Sequence, residues 1–350
     1  MINFRQSIFY IVIFFITYLI YVYPFEVLNY FFFKENIFKL SSLLFTVIFY
    51  FIIIFYFKSH NTFFLLKLFV HEGMGLGFIS FWIVNLCLLV DAVYSIPSRS
   101  LGVICILSII AVTAYSLING RLINLKSIKI VSEKVDEKTR LMFISDTHLG
   151  SNSKKHLEKI LSKIKDLEFD LLLIGGDFID SSSFDLDDLD MLKKVKEPIL
   201  FISGNHEYYI QGHEHKLKRL NDYNLKVLDN ASFKFKKLNL IGISDNLTLE
   251  IQKKIANSLI RKDLFNLILV HKPSLWGHVY EQTDLMLSGH THNGQIFPFN
   301  LFVRLQFKNI YGLYEKLTSK LYVSSGSGCW GPKMRLGTKN EIVDILISKN

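Results

Sequence analysis

Eight polar side chains that can bind metals follow the ends of five apolar runs in the sequence. They are Asp146, His148, Asp177, Asn205, His206, His271, His290 and His292. Carboxylate oxygens, imidazole nitrogens and an amide oxygen together suit Mn, Fe, Zn or Mg. Because an Asp carboxylate can bridge two ions, the set favours a pair of metals over a single one.

The elements that must gather these residues are strands, because the apolar runs are short and rich in β-branched and large apolar residues. The predicted strands are 140–145, 170–176, 198–203, 239–243, 265–270, 284–288, 320–324 and 341–347. Polar helical segments, 154–166 and 186–195, lie between the first of these strands. This alternation predicts an α/β domain with helices on its outer faces, whose ligands bind at the carboxyl ends of the strands.

The first third of the chain has a different character, with four apolar stretches and almost no charge. They are Ile8–Tyr30, Leu40–Phe57, Met74–Ser95 and Leu101–Asn119. Each is close to the length of about 20 residues that a helix needs to cross a bilayer. We therefore predict a transmembrane region of four helices at 1–121, a basic connector at 122–139 and a soluble domain at 140–350. Pro24 is expected to kink or end the first helix.

Basic residues predict the orientation of this membrane region. If the N-terminus is inside, the inside flanks carry Arg5, Lys58, Lys67, Arg121, Lys126, Lys129, Lys134 and Lys138, and the outside flanks carry Lys34, Lys39 and Arg99. The positive-inside rule then places both termini and the soluble domain in the cytoplasm. Asp91 lies near the end of the third span, where its carboxylate can reach the interface. His60, His71 and Glu72 are expected in a solvated loop.

Composition restricts the partners. The 350 residues carry a formal net charge of +9, without a long basic run or zinc-finger spacing. Basic flanks on an anionic membrane explain that charge, so the expected partner is the lipid bilayer and no nucleic acid is expected. The three cysteines form neither a disulfide framework nor a CxxC metal site. Nothing in the sequence predicts the oligomeric state.

The ordered motifs "SDTH", "GGD", "GNHE", "VHK" and "GHTH" resemble the calcineurin-like metallophosphoesterase superfamily. The resemblance covers residues 140 to about 345. The segments "GHTHNGQIFPF" (289–299) and "YVSSGSGCWGPKMRLGTKNEI" (322–342) are similar to its membrane-anchored bacterial branch, the YkuE-like and YaeI-like proteins. At the position of Asn293, that branch more often has Gly. The resemblance implies a four-layer α-β-β-α sandwich and a multi-pass protein of the bacterial inner membrane.

The family pattern also implies a role for each residue. Asp146, His148 and His292 would hold one metal ion, and Asn205, His271 and His290 the other. Asp177 would bridge the two ions, and His206 would act on the scissile phosphate as the catalytic residue.

The expected reaction is hydrolysis of a phosphodiester or pyrophosphate bond. Two cations about 3.5–4 Å apart lower the pKa of a bridging water, and the resulting hydroxide attacks phosphorus in line. Some anchored relatives are thought to act on UDP-2,3-diacylglucosamine, which makes a lipid substrate the favoured expectation. The alternatives are a catalytically silent membrane scaffold and a transporter with a regulatory soluble domain.

Two further segments have two interpretations each. Arg335 and Lys333 would bind a substrate phosphate or another charged group, or they are solvated loop charges. The segment "QIFPFNLFVRLQF" (295–307) is either a lip that enters lipid or an internal hairpin of the domain.

Overall fold

The computed structural model describes residues 4–59, 63–94 and 96–349. His60 and Ser95, which the sequence analysis used, lie outside these residues. The chain divides into two compact units, which are described separately below. The first contains the described residues up to Ile118 together with Gly331–Met334, and the second contains the remainder from Asn119 onward.

The first unit consists of long apolar helices. They are α1 (Phe4–Thr17), α2 (Tyr23–Phe33), α3 (Leu40–Lys58), α4 (Phe64–Val93) and α5 (Ser98–Asn119). Four spans in them are long and apolar enough to cross a membrane, namely Ser7–Phe33, Leu40–Lys58, Phe64–Val93 and Ser98–Asn119. The prediction of four long apolar helices is therefore confirmed, and their crossing of a membrane stays a prediction.

A wide turn joins α1 to α2 and explains the effect of Pro24. Residues Tyr18–Val22 form a π-helical turn, and Pro24 lies in the first turn of α2. Proline has no N–H to donate and its ring collides with the carbonyl four residues earlier, so an α-helix widens or bends before it. At Gly77 in α4, an added Cβ would lie 2.3 Å from the carbonyl oxygen of Ile20, so only glycine allows this close backbone approach.

Helix α4 begins earlier than the predicted span, and the solvated-loop prediction for His71 and Glu72 is wrong. Both residues lie within α4 and are half-buried. His71 Nε2 is 2.9 Å from the hydroxyl oxygen of Tyr56. Charged residues interrupt a hydropathy pattern, but Lys, Glu and His are all compatible with a helical backbone. The helix therefore continues through a stretch that hydropathy alone would exclude.

Two carboxylates of the helical unit, those of Glu26 and Asp91, have hydroxyl partners. Glu26 is buried and accepts hydrogen bonds from the hydroxyls of Tyr18, at 2.6 Å, and Ser42. Asp91 accepts one from the hydroxyl of Tyr30 at 3.3 Å. Such pairing offsets the cost of holding an ionisable group among apolar helices.

The second unit contains two six-stranded sheets. Their strands are β1 (Ile123–Val131), β2 (Thr139–Ile144), β3 (Leu171–Gly175), β4 (Ile199–Ile202), β5 (Leu225–Val227), β6 (Ala231–Phe235), β7 (Leu238–Ile243), β8 (Phe265–Val270), β9 (Leu285–Ser288), β10 (Gly312–Lys316), β11 (Ser319–Val323) and β12 (Asn340–Ser348). The first sheet has the order β1-β12-β2-β3-β4-β5, and the second has the order β10-β11-β9-β8-β7-β6. In the first sheet β2 to β5 run parallel, and in the second β7, β8, β9 and β11 do.

Residues 123–131, which the sequence analysis placed in a connector, form the edge strand β1. It pairs in parallel with β12 over nine residues. Ile123 and Ile130 are buried, whereas Lys126 and Lys129 are exposed. Lysines are typical of edge strands, because they oppose pairing with another chain. Because of these charges the segment is not an apolar run, so the sequence did not predict a strand here.

Three apolar layers hold the sheets and helices together. Leu141, Leu173 and Leu200 of the first sheet pack against Leu240 and Leu267 of the second, between the sheets. Helix α6 (Lys154–Ile164) covers the outer face of the first sheet, and helices α8 (Leu249–Leu259) and α9 (Trp276–Val279) cover that of the second. The predicted four-layer α-β-β-α sandwich is confirmed. Helices α7 (His213–Arg219) and α10 (Phe299–Gln306) complete the α-helices of the described chain.

The predicted helix at 186–195 is a 3-10 helix, Leu186–Lys194. Leu186, Leu189 and Leu192 are all buried. Their spacing of three residues matches the three residues per turn of a 3-10 helix, so one face of it points into the core.

Candidate metal centre

The five loops that carry the predicted residues meet at the carboxyl ends of neighbouring parallel strands. Strands β2, β3 and β4 are adjacent in one sheet, and β8 and β9 are adjacent in the other. Parallel neighbours end at the same edge of a sheet, which is where ligands bind in folds of this type. The strand register thus brings together residues that are far apart in sequence.

The acidic and imidazole groups form three overlapping clusters, within each of which all ligand atoms lie within 4.8 Å of one another. The clusters are Asp146, His148 and His292; His148, Asp177 and His206; and Asp177, His271 and His290. Asp177 belongs to two of them and therefore lies between the other groups. The predicted convergence of these seven residues is present in the structure.

Short contacts between imidazole nitrogens indicate how the rings are arranged. Nε2 of His148 and Nε2 of His292 are 3.1 Å apart, and Nδ1 of His290 is 3.2 Å from Nε2 of His271. Two nitrogens bound to one ion at about 2.1 Å are roughly 3.0–3.4 Å apart in tetrahedral or octahedral geometry. Each pair therefore has the separation of two ligands of a common cation.

Asn205 supplies an independent test of the fit to a metal. Its Oδ1 atom is buried and accepts no hydrogen bond from the described part of the chain. A buried amide oxygen without a donor is costly, and a cation would satisfy it. The donor set of carboxylate, imidazole and amide oxygen fits a divalent metal of the first transition row or Mg.

The backbone is left-handed at five of the candidate ligands. Their φ angles lie between 47° and 70°, at Asp146, His148, Asp177, His290 and His292. Residues other than glycine adopt this conformation rarely, and it costs roughly 1–2 kcal/mol per residue. Such strain is concentrated at functional sites, where the surrounding structure has to hold it. Asn293, where the bacterial branch more often has Gly, has φ 51°, a conformation that Asn tolerates well.

Two histidines have an oxygen acceptor close to Nδ1, which leaves Nε2 to face the centre. His148 Nδ1 lies 3.4 Å from the Asp180 carboxylate, and His271 Nδ1 lies 2.9 Å from the carbonyl oxygen of Gly175. Oxygen acceptors of this kind orient metal-binding histidines in known sites. His292 Nδ1 lies instead 3.3 Å from the guanidinium of Arg335, which only donates hydrogen bonds.

Arg335 does not face a substrate, so the prediction that it binds one has to be corrected. Its side chain is fully buried, and its donors are used within the protein. The acceptors are Asn340 Oδ1 at 2.8 Å, the His292 carbonyl at 2.8 Å, the Ser325 carbonyl at 2.7 Å, the Gly328 carbonyl at 2.6 Å and Thr338 Oγ1 at 3.5 Å. Arg335 therefore positions His292, because it contacts both the carbonyl and the ring of that residue.

Glu207 joins two of the loops. Its buried carboxylate accepts hydrogen bonds from the backbone N–H groups of Asp177, Phe178, Ile179 and Gly204, at 2.7–3.0 Å. Burial, reinforced by the charge of Asp177, raises the pKa of Glu207 to about 7. The residue fixes the loop after β3 to the loop after β4.

Asp146 is held in a similar way. Its carboxylate accepts hydrogen bonds from Ser145 Oγ at 2.6 Å and from the His290 N–H at 3.0 Å. At Gly289, an added Cβ would lie 2.2 Å from Asp146 Oδ2, so any larger residue would displace the carboxylate. The motif "GHTH" thus requires glycine at its first position, because the backbone of Gly289 lies so close to the Asp146 carboxylate.

The electrostatics of the centre are dominated by two buried carboxylates. Burial raises the pKa of Asp146. Burial would raise the pKa of Asp177 as well, but His271, whose Nε2 is 3.0 Å away, holds it well below its usual range. Burial alone would lower the pKa of His271, yet the Asp177 carboxylate raises it to about 10. A cation would take over the role of the His271 proton, so metal binding is expected to release protons.

His206 is only partly enclosed, with 17% of its side chain exposed. Its Nε2 is 4.0 Å from the Asp177 carboxylate. Rings of Tyr209 and Trp330 lie against its imidazole, with centroids 5.4 and 5.8 Å away, and both are exposed. Burial lowers the pKa of His206 to about 4, so the ring is neutral at pH 7. It is placed at the mouth of the centre, beside an aromatic rim.

Four residues at the centre were not predicted from the sequence, namely Asp180, Glu207, Tyr209 and Trp330. Two of them had a local signal, since "GGDFID" and "GNHE" place acidic residues next to the candidate ligands. The aromatic residues had none, because their place beside His206 depends on contacts distant in sequence.

Comparison with known proteins agrees with this geometry. Residues 139–294 match the family described as calcineurin-like phosphoesterase. An uncharacterized metallophosphoesterase of Campylobacter jejuni is 32% identical over 271 residues, which cover 72% of this chain and 71% of that protein. The chain belongs to the calcineurin-like metallophosphoesterase family. The narrower YkuE-like and YaeI-like assignment stays a prediction.

The chain spans less than two thirds of the length of other relatives. An uncharacterized metallophosphoesterase of Helicobacter pylori is 35% identical over 250 residues, covering 65% of this chain and 64% of that protein. A transmembrane protein with metallophosphoesterase domain from Danio rerio is 27% identical over 63% of this chain and 56% of that protein. Among solved structures, a novel archaeal phosphodiesterase aligns with 16% identity and a TM-score of 0.34, over 54% of this chain and 85% of that one. Together with the apolar helices, the relatives indicate a membrane-anchored protein.

Asp180→Asn tests whether the carboxylate next to His148 supports metal binding. We expect the affinity for Mn²⁺ to fall by about 10–100-fold, because an amide no longer stabilises the ring orientation and basicity of His148. The measurement is a Mn²⁺ titration by calorimetry on the full chain in detergent. Asp188→Asn is the matched control, since this exposed carboxylate pairs with Lys154 away from the centre. Equal affinities of the two variants would contradict the assignment.

Proposed function

We propose that this chain hydrolyses phosphodiester or pyrophosphate bonds at a centre of two divalent metal ions. The observation that carries the proposal is the overlap of the three ligand clusters at Asp177 and His148. Clusters that share a carboxylate suit two ions with a common ligand. The buried Oδ1 of Asn205, which has no hydrogen-bond donor among the described residues, also supports a metal at this site.

Each ion has a defined set of residues in this proposal. Asp146, His148 and His292 would hold the first ion, Asn205, His271 and His290 would hold the second, and Asp177 would be shared by both. When bound, such cations would supply Lewis acidity and lower the pKa of a water molecule in the centre. Each ion would be Mn, Fe, Zn or Mg.

His206 acts on the substrate rather than on a metal. Because its imidazole is neutral at pH 7 and partly exposed, Nε2–H donates a hydrogen bond to a phosphoryl or leaving-group oxygen. A hydrogen bond aimed at developing negative charge lowers the barrier of such reactions. Tyr209 and Trp330 line the approach to His206 and reduce its contact with water.

The substrate class we favour is a phosphoester carried by a lipid, for which UDP-2,3-diacylglucosamine is the first compound to test. Two features support this choice. Four apolar spans keep the chain at a bilayer, and exposed apolar residues of α10 follow the last ligand loop. A silent scaffold would have no need to keep this strained, complete set of ligands. A transporter would need a polar path, whereas Glu26 and Asp91 are each occupied by partners within the helices.

Asp177→Asn tests the reaction itself. We expect hydrolysis of bis(p-nitrophenyl) phosphate with Mn²⁺ to fall by more than about 100-fold, a larger loss than that caused by outer-shell residues. Asp190→Asn, at an exposed carboxylate, is the control and should keep wild-type turnover. The same assay with UDP-2,3-diacylglucosamine tests the substrate class. Turnover of soluble nucleotides alone would exclude the lipid substrate, and turnover retained in Asp177→Asn would exclude the proposed centre.

His206→Ala separates catalysis from metal binding. We expect kcat to fall by about 100–10,000-fold, the usual contribution of a positioned proton-transfer or hydrogen-bonding group. The metal content, measured by mass spectrometry on the same samples, should stay at the wild-type level. Loss of metal together with activity would show that His206 is a ligand instead.

We also propose that the protein spans the bacterial inner membrane several times, with its second unit in the cytoplasm. Eight basic residues flank the inside ends of the spans, against three on the outside. Trypsin should therefore cleave the second unit in inverted vesicles and spare it in intact spheroplasts. The reverse pattern, read by an antibody to a C-terminal tag, would overturn the orientation.

A further inference from the structure

Helix α10 presents its apolar side chains outward, against the usual pattern of a globular unit. Leu301, Phe302 and Leu305 are exposed, and so are Phe297 and Phe299 just before and at its start, with exposed fractions between 47% and 86%. Burial of large apolar side chains is the main stabilising term of folding, so a cluster of five exposed ones needs a partner. Single exposed apolar residues scattered over the surface would need no such explanation.

The segments at both ends of α10 are fixed by contacts with the ligand loops, so the fold sets the position of the helix. Phe307 is buried, and its ring centroid lies 5.2 Å from that of His290. Before the helix, the Phe297 N–H donates to the Leu336 carbonyl at 2.9 Å, and the Leu336 N–H donates to the Gln295 carbonyl at 3.1 Å. Gln295 in turn exchanges two hydrogen bonds with the backbone of Trp330, both at 2.9 Å.

The charges around α10 identify its partner. Arg304 and Lys308 are exposed on or next to the helix, and no acidic residue occurs between Gln295 and Tyr314. An apolar helix whose own charge and nearest charge in the sequence are both positive suits a bilayer with anionic headgroups. The chain also has four spans that are long and apolar enough to anchor it in such a bilayer.

We infer that α10 lies in the membrane interface, with Leu301, Phe302 and Leu305 among the acyl chains and Arg304 and Lys308 at the headgroups. This surface goes beyond the hydrolysis proposed above and does not depend on it. It adds a lipid contact next to the candidate metal centre, because the loop that carries His290 and His292 runs directly into α10.

A fluorescent probe at Leu305 tests this inference on the full chain. Leu305→Cys is labelled with an environment-sensitive dye and reconstituted in vesicles of phosphatidylethanolamine and phosphatidylglycerol. The side chain is 86% exposed, so the substitution leaves the fold intact, and the native cysteines Cys87, Cys105 and Cys329 are buried. Leu317→Cys is the matched control, because Leu317 is 80% exposed in the hairpin between β10 and β11.

We expect the Leu305 probe to emit at shorter wavelength and to be quenched by nitroxides on the acyl chains more strongly than by iodide in water. The Leu317 probe should show the opposite order. In vesicles of phosphatidylcholine alone, or in the double variant R304Q/K308Q, the quenching of the Leu305 probe by acyl-chain nitroxides should decrease.

Two results would overturn the inference. Iodide quenching at Leu305 equal to that at Leu317 would mean that the helix stays in water. Protection from both iodide and nitroxides would mean that a protein, including a second copy of this chain, covers the helix. Hydrolysis of bis(p-nitrophenyl) phosphate is measured on the same vesicles, so failure of insertion and failure of the proposed activity are distinguished.

Discussion

The carboxylate of Asp177 is buried where the carboxyl ends of both sheets meet, and the candidate centre is arranged around its charge. It lies 3.0 Å from Nε2 of His271 and accepts the backbone N–H of His206 at 2.8 Å. A buried carboxylate is costly unless a positive charge and hydrogen bonds compensate it. In the chain alone, the raised pKa of His271 supplies that positive charge. A cation in the same position would supply it with less dependence on pH.

A second constraint is the strained backbone that presents the ligands. Five left-handed residues, at roughly 1–2 kcal/mol each, would not persist in isolated loops. Glu207 and Arg335 hold them, because both are buried and use nearly all their hydrogen-bonding capacity on the loop backbones. The geometry of the centre therefore belongs to the fold.

Local sequence was a good guide wherever a residue's environment depended on its near neighbours. Strands β2, β3, β4, β8 and β9 were predicted within one or two residues, because each is a short apolar run ended by glycine or a polar motif. It failed where charge concealed the element, as in β1 with its exposed lysines, and in the start of α4, where His71 and Glu72 lie within a helix. It also failed at Leu186–Lys194, where a leucine spacing of three produced a 3-10 helix.

The sequence by itself determined which residue types stand at the strand ends, and hence the metal-binding chemistry, because strand periodicity and motif order are local properties. It also determined the four apolar spans, since their length and lack of charge need no partner to be recognised. Only the tertiary structure decided which imidazole nitrogen faces the centre, that Arg335 is buried behind His292, and that α10 turns its leucines outward. Each of these depends on contacts between segments distant in sequence. The residue type alone does not determine whether a charged or apolar side chain is buried or exposed.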